Sequence, residues 1–224
     1  MSNRRTLPKA SGDSGATRDR LISAAEKLFA VRGVDSVSLV EIGLAAAQKN
    51  RSAVQYHFGD KAGVIGAIRD KHQPPIEAER QRRLAALEAD PESTLRGFVG
   101  ALVEPLADHV RRAPGGPEYL LMSADLLGHP EFSNLWLQRL RHPTGLRLMQ
   151  NMMAFSQALP QEVIDPRMLL VTGMLFHGLA DHARGGLVEA DQWDQIVDNL
   201  TTCIVAVIEA PAAAQPAAPS RRSS

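Results

Sequence analysis

The stretch "NRSAVQYHFGDK" at residues 50–61 reads as a helix too short to bury much surface, yet crowded with hydrogen-bonding side chains. Asn50 is a good N-cap for it. Val54 and Phe58 lie four apart and turn one face towards a core. Gly59 suits the left-handed stop after a helix, and Asp60 caps a fourth helix that starts at once. Arg51, Ser52, Gln55, Tyr56 and His57 are left pointing outward.

The flanking residues explain why so polar a helix is worth building. Upstream, Leu21, Ile22, Ala25, Leu28 and Phe29 form one apolar stripe on a first helix, from about Thr17 to Val31, which Gly33 ends. A second helix begins at Ser38, with Glu41 three residues on as its capping-box partner. Two short helices on a tight turn, with a third behind them, make a helix-turn-helix. The second helix of that pair enters a DNA major groove. The outward side chains of residues 51–57 have the lengths and donors that suit base edges and phosphates. Lys61, in the first turn of the fourth helix, is placed where a phosphate would meet free amides and an ammonium.

Charge supports two jobs in one chain. The 224 residues carry no net charge, but residues 1–72 hold 12 Lys and Arg against 7 Asp and Glu, and the remainder is acidic by the same margin. A basic N-terminal third fits a polyanionic partner. Apolar residues make up 44%, enough for a core. No uncharged apolar run of about 18 residues is present, so no membrane span is expected. The N-terminus lacks a signal-peptide h-region, and the single Cys203 cannot form an internal disulfide; both fit the cytoplasm.

Apolar spacing is helical nearly throughout, so the fold class expected is all-α. Residues 1–16 lack periodicity and read as a mobile basic arm. Residues 17–62 are the helix-turn-helix unit, and 63–210 a larger helical domain. Residues 211–224 are a Pro/Ala tail without a core-forming pattern. Pro74-Pro75 is expected to break or kink the fourth helix. Further helices are expected at about 93–112, 117–128, 131–141, 144–159, 166–184 and 192–209, separated by Pro and Gly stops.

Residues 17–68, "TRDRLISAAEKLFAVRGVDSVSLVEIGLAAAQKNRSAVQYHFGDKAGVIGAI", resemble the DNA-binding domain of the tetracycline-repressor (TetR) family. The features that carry the resemblance are "AAEKLFAVRG", the Ser38-capped second helix and "YHFGDK". They cover about a quarter of the chain. The family turn is close to "AGVSKGTLYHHF"; here it is "AQKNRSAVQYHF", with Gln48 for the turn glycine, Lys49 for an apolar residue and Gln55 where a tyrosine often touches phosphate. The resemblance implies a homodimeric repressor released from operator DNA by a small ligand. It places Ser38, Arg51, Tyr56, His57 and Lys61 on positions that commonly touch DNA; Asn50, Ser52 and Gln55 complete the candidate DNA-binding set.

Phe98, Leu102, Met122, Trp136, Met149 and Met153 form either an adaptable, mostly apolar ligand pocket or simply core. The last two helices are the candidate dimer interface, through Leu169, Gly173 and Phe176 on one and Trp193, Ile196, Leu200 and Ile204 on the other. Gly173 would allow close backbone approach. Cys203 reads as a small core residue or a redox-sensing thiol. His177 and His182 are five apart, a poor metal spacing, and His177 reads as a buried polar or interface residue. No metal site, cofactor or catalytic motif is expected. The rival reading is a helical small-molecule carrier or enzyme whose N-terminal unit is structural; the charge split and the exposed polar helix weigh against it.

Overall fold

The computed structural model describes residues 11–50, 52–133, 142–155, 159–186 and 189–212. Arg51, Trp136 and most of the helix expected at 131–141 lie outside the described residues, as do residues 1–10 and most of the Pro/Ala tail. The described residues form nine helices: α1 Ser11–Arg32, α2 Leu39–Ala45, α3 Ala53–Phe58, α4 Lys61–Glu88, α5 Leu95–Arg112, α6 Gly116–Leu127, α7 Pro143–Ala154, α8 Gln161–Ala183 and α9 Ala190–Glu209.

The punctuation works as its chemistry requires. The Ser38 Oγ accepts from the Glu41 amide at 3.2 Å, and Glu41 Oε2 accepts from the Ser38 amide at 2.8 Å. The bond from the Ser38 amide, and then Arg32, hold the Glu41 carboxyl down at about 2. Asp60 Oδ1 accepts from the Gly63 amide at 2.8 Å and starts α4. Gly59 has a φ of +79°, which a side chain would strain.

Three expectations need correction. The first helix starts at Ser11, six residues before Thr17, so only residues 1–10 of the proposed arm lie beyond it. The third starts at Ala53 with Ser52 as N-cap; the Asn50 side chain instead accepts from the Ser52 amide at 3.0 Å, an Asx turn leading into the helix. And α4 continues through Pro74-Pro75 without ending. Both prolines are exposed, as are Asp70 and Lys71, whose carbonyls lose their usual donors. Water can satisfy those carbonyls, while buried His72, Gln73, Ile76 and Glu77 hold the inner face against the core.

The core is continuous and α5 is its centre. Phe98, Val99, Leu102, Val103, Leu106 and Val110 of α5 are all buried, and α5 packs on α4, α6, α7 and α9. In the N-terminal unit Leu21, Ile22, Phe29, Val34, Val37, Ile42 and Val54 extend the same core. The unit is not joined to the rest by α4 alone, because α1 also packs along α6. One described helix, α8, is long and apolar enough to cross a membrane; here its Val171, Leu175, Phe176 and Leu179 are buried and it packs on α6 and α9. Arg167 on α8 is buried and donates to the Ile208 and Pro211 carbonyls, satisfying the C-terminal end of α9.

The helix-turn-helix turn is strained at one residue. Gln48 stands where the family turn carries glycine, and the left-handed conformation falls on its neighbour Ala47, with a φ of +54°. A left-handed non-glycine residue costs about 1–2 kcal/mol, and glycine returns about 0.4–1 kcal/mol of that through unfolded-chain entropy. Ala47 is exposed and gives up no packing. Ala47→Gly is therefore expected to stabilise the protein by about 0.5–1 kcal/mol, read as a rise in the denaturation midpoint. Ala47→Val should lower it, and a fall with glycine would contradict the strain.

Candidate nucleic-acid interface

The candidate DNA-facing surface is built by burying one side of α3. Ala53 and Val54 point into the unit, and Phe58 packs beside them under the Arg18 guanidinium, 5.4 Å from the ring centre. That leaves Ser52, Gln55 and Tyr56 exposed, Tyr56 at 82%, with His57 half-buried. Tyr56 and His57 meet edge to face at 5.2 Å, which fixes both rings on the rim of the helix. Lys49 and Asn50 in the turn, and Ser38 at the start of α2, are exposed on the same unit. Each sequence-derived DNA residue in the described chain is thus exposed or half-buried, but the Ser38 hydroxyl is engaged by Glu41, accepting from its amide and donating to Oε2 at 2.8 Å, and Lys61 is occupied too. Its ammonium donates to the Val34 carbonyl at 2.9 Å and the Asp35 carbonyl at 3.3 Å, pinning the α1–α2 loop to the start of α4. Sequence spacing gave no sign of this, because the partners are 27 and 26 residues away.

The loop that Lys61 holds is also gripped from the other side. Asp125 near the end of α6 accepts from the Val34 amide at 3.4 Å, and His129 Nε2 lies 2.9 Å from Asp35 Oδ1. His129 Nδ1 accepts from the Glu131 and Phe132 amides, so its imidazole caps the turn after α6 and sits beside Asp35 of the α1–α2 loop.

The profile of the bacterial regulatory proteins, tetR family, matches residues 21–68, which span α1 to the first turns of α4. Over residues 21–68, about a fifth of its length, the chain is similar to the DNA-binding domain of that family. It is 31% identical over 104 residues to the HTH-type transcriptional regulator AcrR of Shigella flexneri, across 46% of this chain and 48% of that one. It is 34% identical over 71 residues to the regulator SrpR of Pseudomonas putida, across 32% and 33%. These matches span about half or less of the curated relatives' length. Among solved structures it is similar to NalD, the secondary repressor of the MexAB-OprM multidrug efflux pump in Pseudomonas aeruginosa, with a TM-score of 0.58, 21% identity and 86% and 97% of the two chains covered. That likeness concerns the fold: a helix-turn-helix unit on a larger helical domain. These relatives are named transcriptional regulators.

The other expected sites fare unevenly. Phe98, Leu102 and Met122 are buried, and Met149 and Met153 pack against them in one core around α5, α6 and α7. Four of the seven candidate interface residues, Phe176, Trp193, Leu200 and Ile204, are buried in their own chain. Leu169 is 60% exposed, and Gly173 and Ile196 are partly exposed. The outward face also holds Leu170, 59% exposed, and a groove of about 750 Å³ between α8 and α9 lined by His177, Asn199 and Cys203 among others. Cys203 is exposed rather than core, and His177 is exposed rather than buried.

Proposed function

We propose that this protein is a cytoplasmic repressor that binds a palindromic operator as a homodimer and leaves it when a small, mostly apolar ligand enters the C-terminal domain. The observation that carries the reading is the face of α3: Ala53 and Val54 anchor it, and Ser52, Gln55 and Tyr56 are free. Arg51 and Gln55 read bases; Ser38, Tyr56 and His57 hold phosphates, with Asn50 and Ser52 at the margin. Lys61 reaches a phosphate only by leaving two carbonyls, so its first role is to hold the α1–α2 loop. Residues 17–62 act as the DNA-binding unit and 63–210 as the ligand and dimer domain, with α4 shared between them. Phe98, Leu102, Met122, Met149 and Met153 are the pocket candidates, since methionine side chains re-pack readily around a guest.

Binding of labelled duplexes tiled across the DNA upstream of the gene tests the reading. Gln55→Ala and Arg51→Ala should each cost about 1–3 kcal/mol and relax the preference at one base position. Tyr56→Phe should weaken all sequences alike and leave the salt slope unchanged, because a neutral hydroxyl releases no counterion. Gln55 and Tyr56 are exposed, so folding is not at stake. Unchanged affinity and base preference in Gln55→Ala and Arg51→Ala would remove α3 from the groove.

A further inference from the structure

The DNA-binding unit meets the C-terminal domain through a polar contact buried where three helices and a turn converge. Glu26 of α1 is 2% exposed and His72 of α4 is 1% exposed. The Lys71 ammonium bonds both Glu26 oxygens, at 2.9 and 2.8 Å. His72 Nε2 lies 2.8 Å from Glu26 Oε1, and His72 Nδ1 lies 2.7 Å from His109 Nε2 on α5. The His72 ring stacks on Tyr119 of α6, with ring centres 4.6 Å apart. Gly115, in the α5–α6 turn, has a φ of +81°, and a Cβ there would lie 2.5 Å from Glu26 Oε2. The turn is pressed directly on the carboxylate.

The chemistry of the donors fixes the hydrogens. A carboxylate only accepts, so His72 Nε2 must carry hydrogen. A neutral His72 then offers Nδ1 as an acceptor, and His109 Nε2 must donate to it. The bonds run one way, from α5 through α4 into α1. One added proton is tolerated: His72 donates from both nitrogens and His109 changes tautomer. A second sets N–H against N–H at the 2.7 Å contact, and the link between α5 and α4 fails. Buried networks of this kind specify one arrangement when fully satisfied and become costly when half satisfied.

We propose that His72 and His109 are positioning residues for DNA binding: acting through Glu26 they hold α1, and with it the recognition helix α3, against the α5–α6 turn, and a second proton releases that hold. This rests on the operator-binding reading above. Because α1 packs on α2 and α2 on α3, a shift of α1 carries α3 with it.

The charged and titratable groups facing the two rings are Glu26 from α1, Lys71 on α4 and Tyr119 from α6. Burial raises the Tyr119 phenol to about 12, so it stays neutral. Burial first, then the charges of His72 and Lys71, push His109 down to about 4. A base depressed in the closed arrangement favours that arrangement above its ordinary value of 6.5 and loses it as the pH falls from 6.5 towards 4.

The test is operator affinity between pH 7.5 and 5.5 for the wild-type chain and His109→Gln. Glutamine keeps an amide N–H where Nε2–H stands and cannot take the proton. The wild type should lose affinity on acidification, approaching about tenfold, while His109→Gln binds equally at pH 7.5 and stays flat. His57 on α3 is present in both proteins and cancels in their ratio. Identical profiles would overturn the proposal, as would poor binding by His109→Gln at pH 7.5. If the wild type binds no duplex at all, the operator reading fails, and ring nitrogen resonances then decide the relay. A His109 ring that stays neutral well below 6.5 supports it; ordinary titration near 6.5 overturns it.

Discussion

Gly63→Ala should cost about 3 kcal/mol and abolish operator binding at temperatures where the wild-type chain is folded. A Cβ at residue 63 would lie 1.9 Å from the Phe58 carbonyl oxygen and 2.9 Å from its carbonyl carbon. Those atoms belong to the backbone that ends α3, so no rotamer change relieves the overlap. Either α3 lifts off α4 by more than an ångström or the first turn of α4 unwinds. Unwinding breaks the Asp60 cap, whose acceptor is bonded to the Gly63 amide. Lifting withdraws Val54 and Phe58 from the unit's core. Both outcomes displace the recognition helix. Gly145→Ala in α7 is the control, because nothing lies within 4 Å of its added Cβ; helix propensity predicts a gain of up to about 1 kcal/mol there. Denaturant midpoints of the two variants, with operator affinity beside them, check the expectation. A Gly63→Ala protein with the wild-type midpoint would mean that the α3–α4 junction has slack that its geometry denies.

The same junction shows what a sequence can carry. Ser38, Glu41, Gly59 and Asp60 act on neighbours within three or four residues, and each was legible because caps and stops are local chemistry. Pro74-Pro75 misled because the proline penalty depends on which side of the helix the freed carbonyls face. They face water, a fact set by tertiary packing. Lys61 misled for the opposite reason: its partners are more than twenty residues away, in a loop that only folding brings near. Glu26, His72 and His109 come from three separate helices, so nothing in their spacing marks them as a unit. Apolar periodicity found α8 and α9 but not their outward sides, since both helices carry apolar residues on two faces. That ambiguity put buried Phe176, Trp193, Leu200 and Ile204 beside exposed Leu169 in one candidate interface.

The exposed face of α8 sets the second large effect. Pro166, Leu169, Leu170, Gly173 and His177 follow one another at helical spacing and are exposed or partly exposed. Leu169 and Leu170 keep 60% and 59% of their surface, unusual for two adjacent leucines in a chain with so full a core. Fully burying a leucine is worth about 1.5–3 kcal/mol, so each has about 1–2 kcal/mol still to gain. A two-fold interface uses the pair twice, for about 4–7 kcal/mol, enough to move a dissociation constant by about three to five orders of magnitude. Nothing lies within 4 Å of a Cβ built on Gly173, so a second backbone can approach there. Leu170→Asp should therefore turn a micromolar solution of dimer into a single-chain species by sedimentation, with helix content and midpoint little changed, because Leu170 contributes little to its own fold. Phe176→Asp or Ile204→Asp would not serve, since both side chains are internal and the chain would unfold first. The monomer should bind one half-site weakly and lose the palindrome, because half-sites about 34–36 Å apart are read together only when two recognition helices are fixed at that spacing. A Leu170→Asp protein that sediments as a dimer would move the interface off α8.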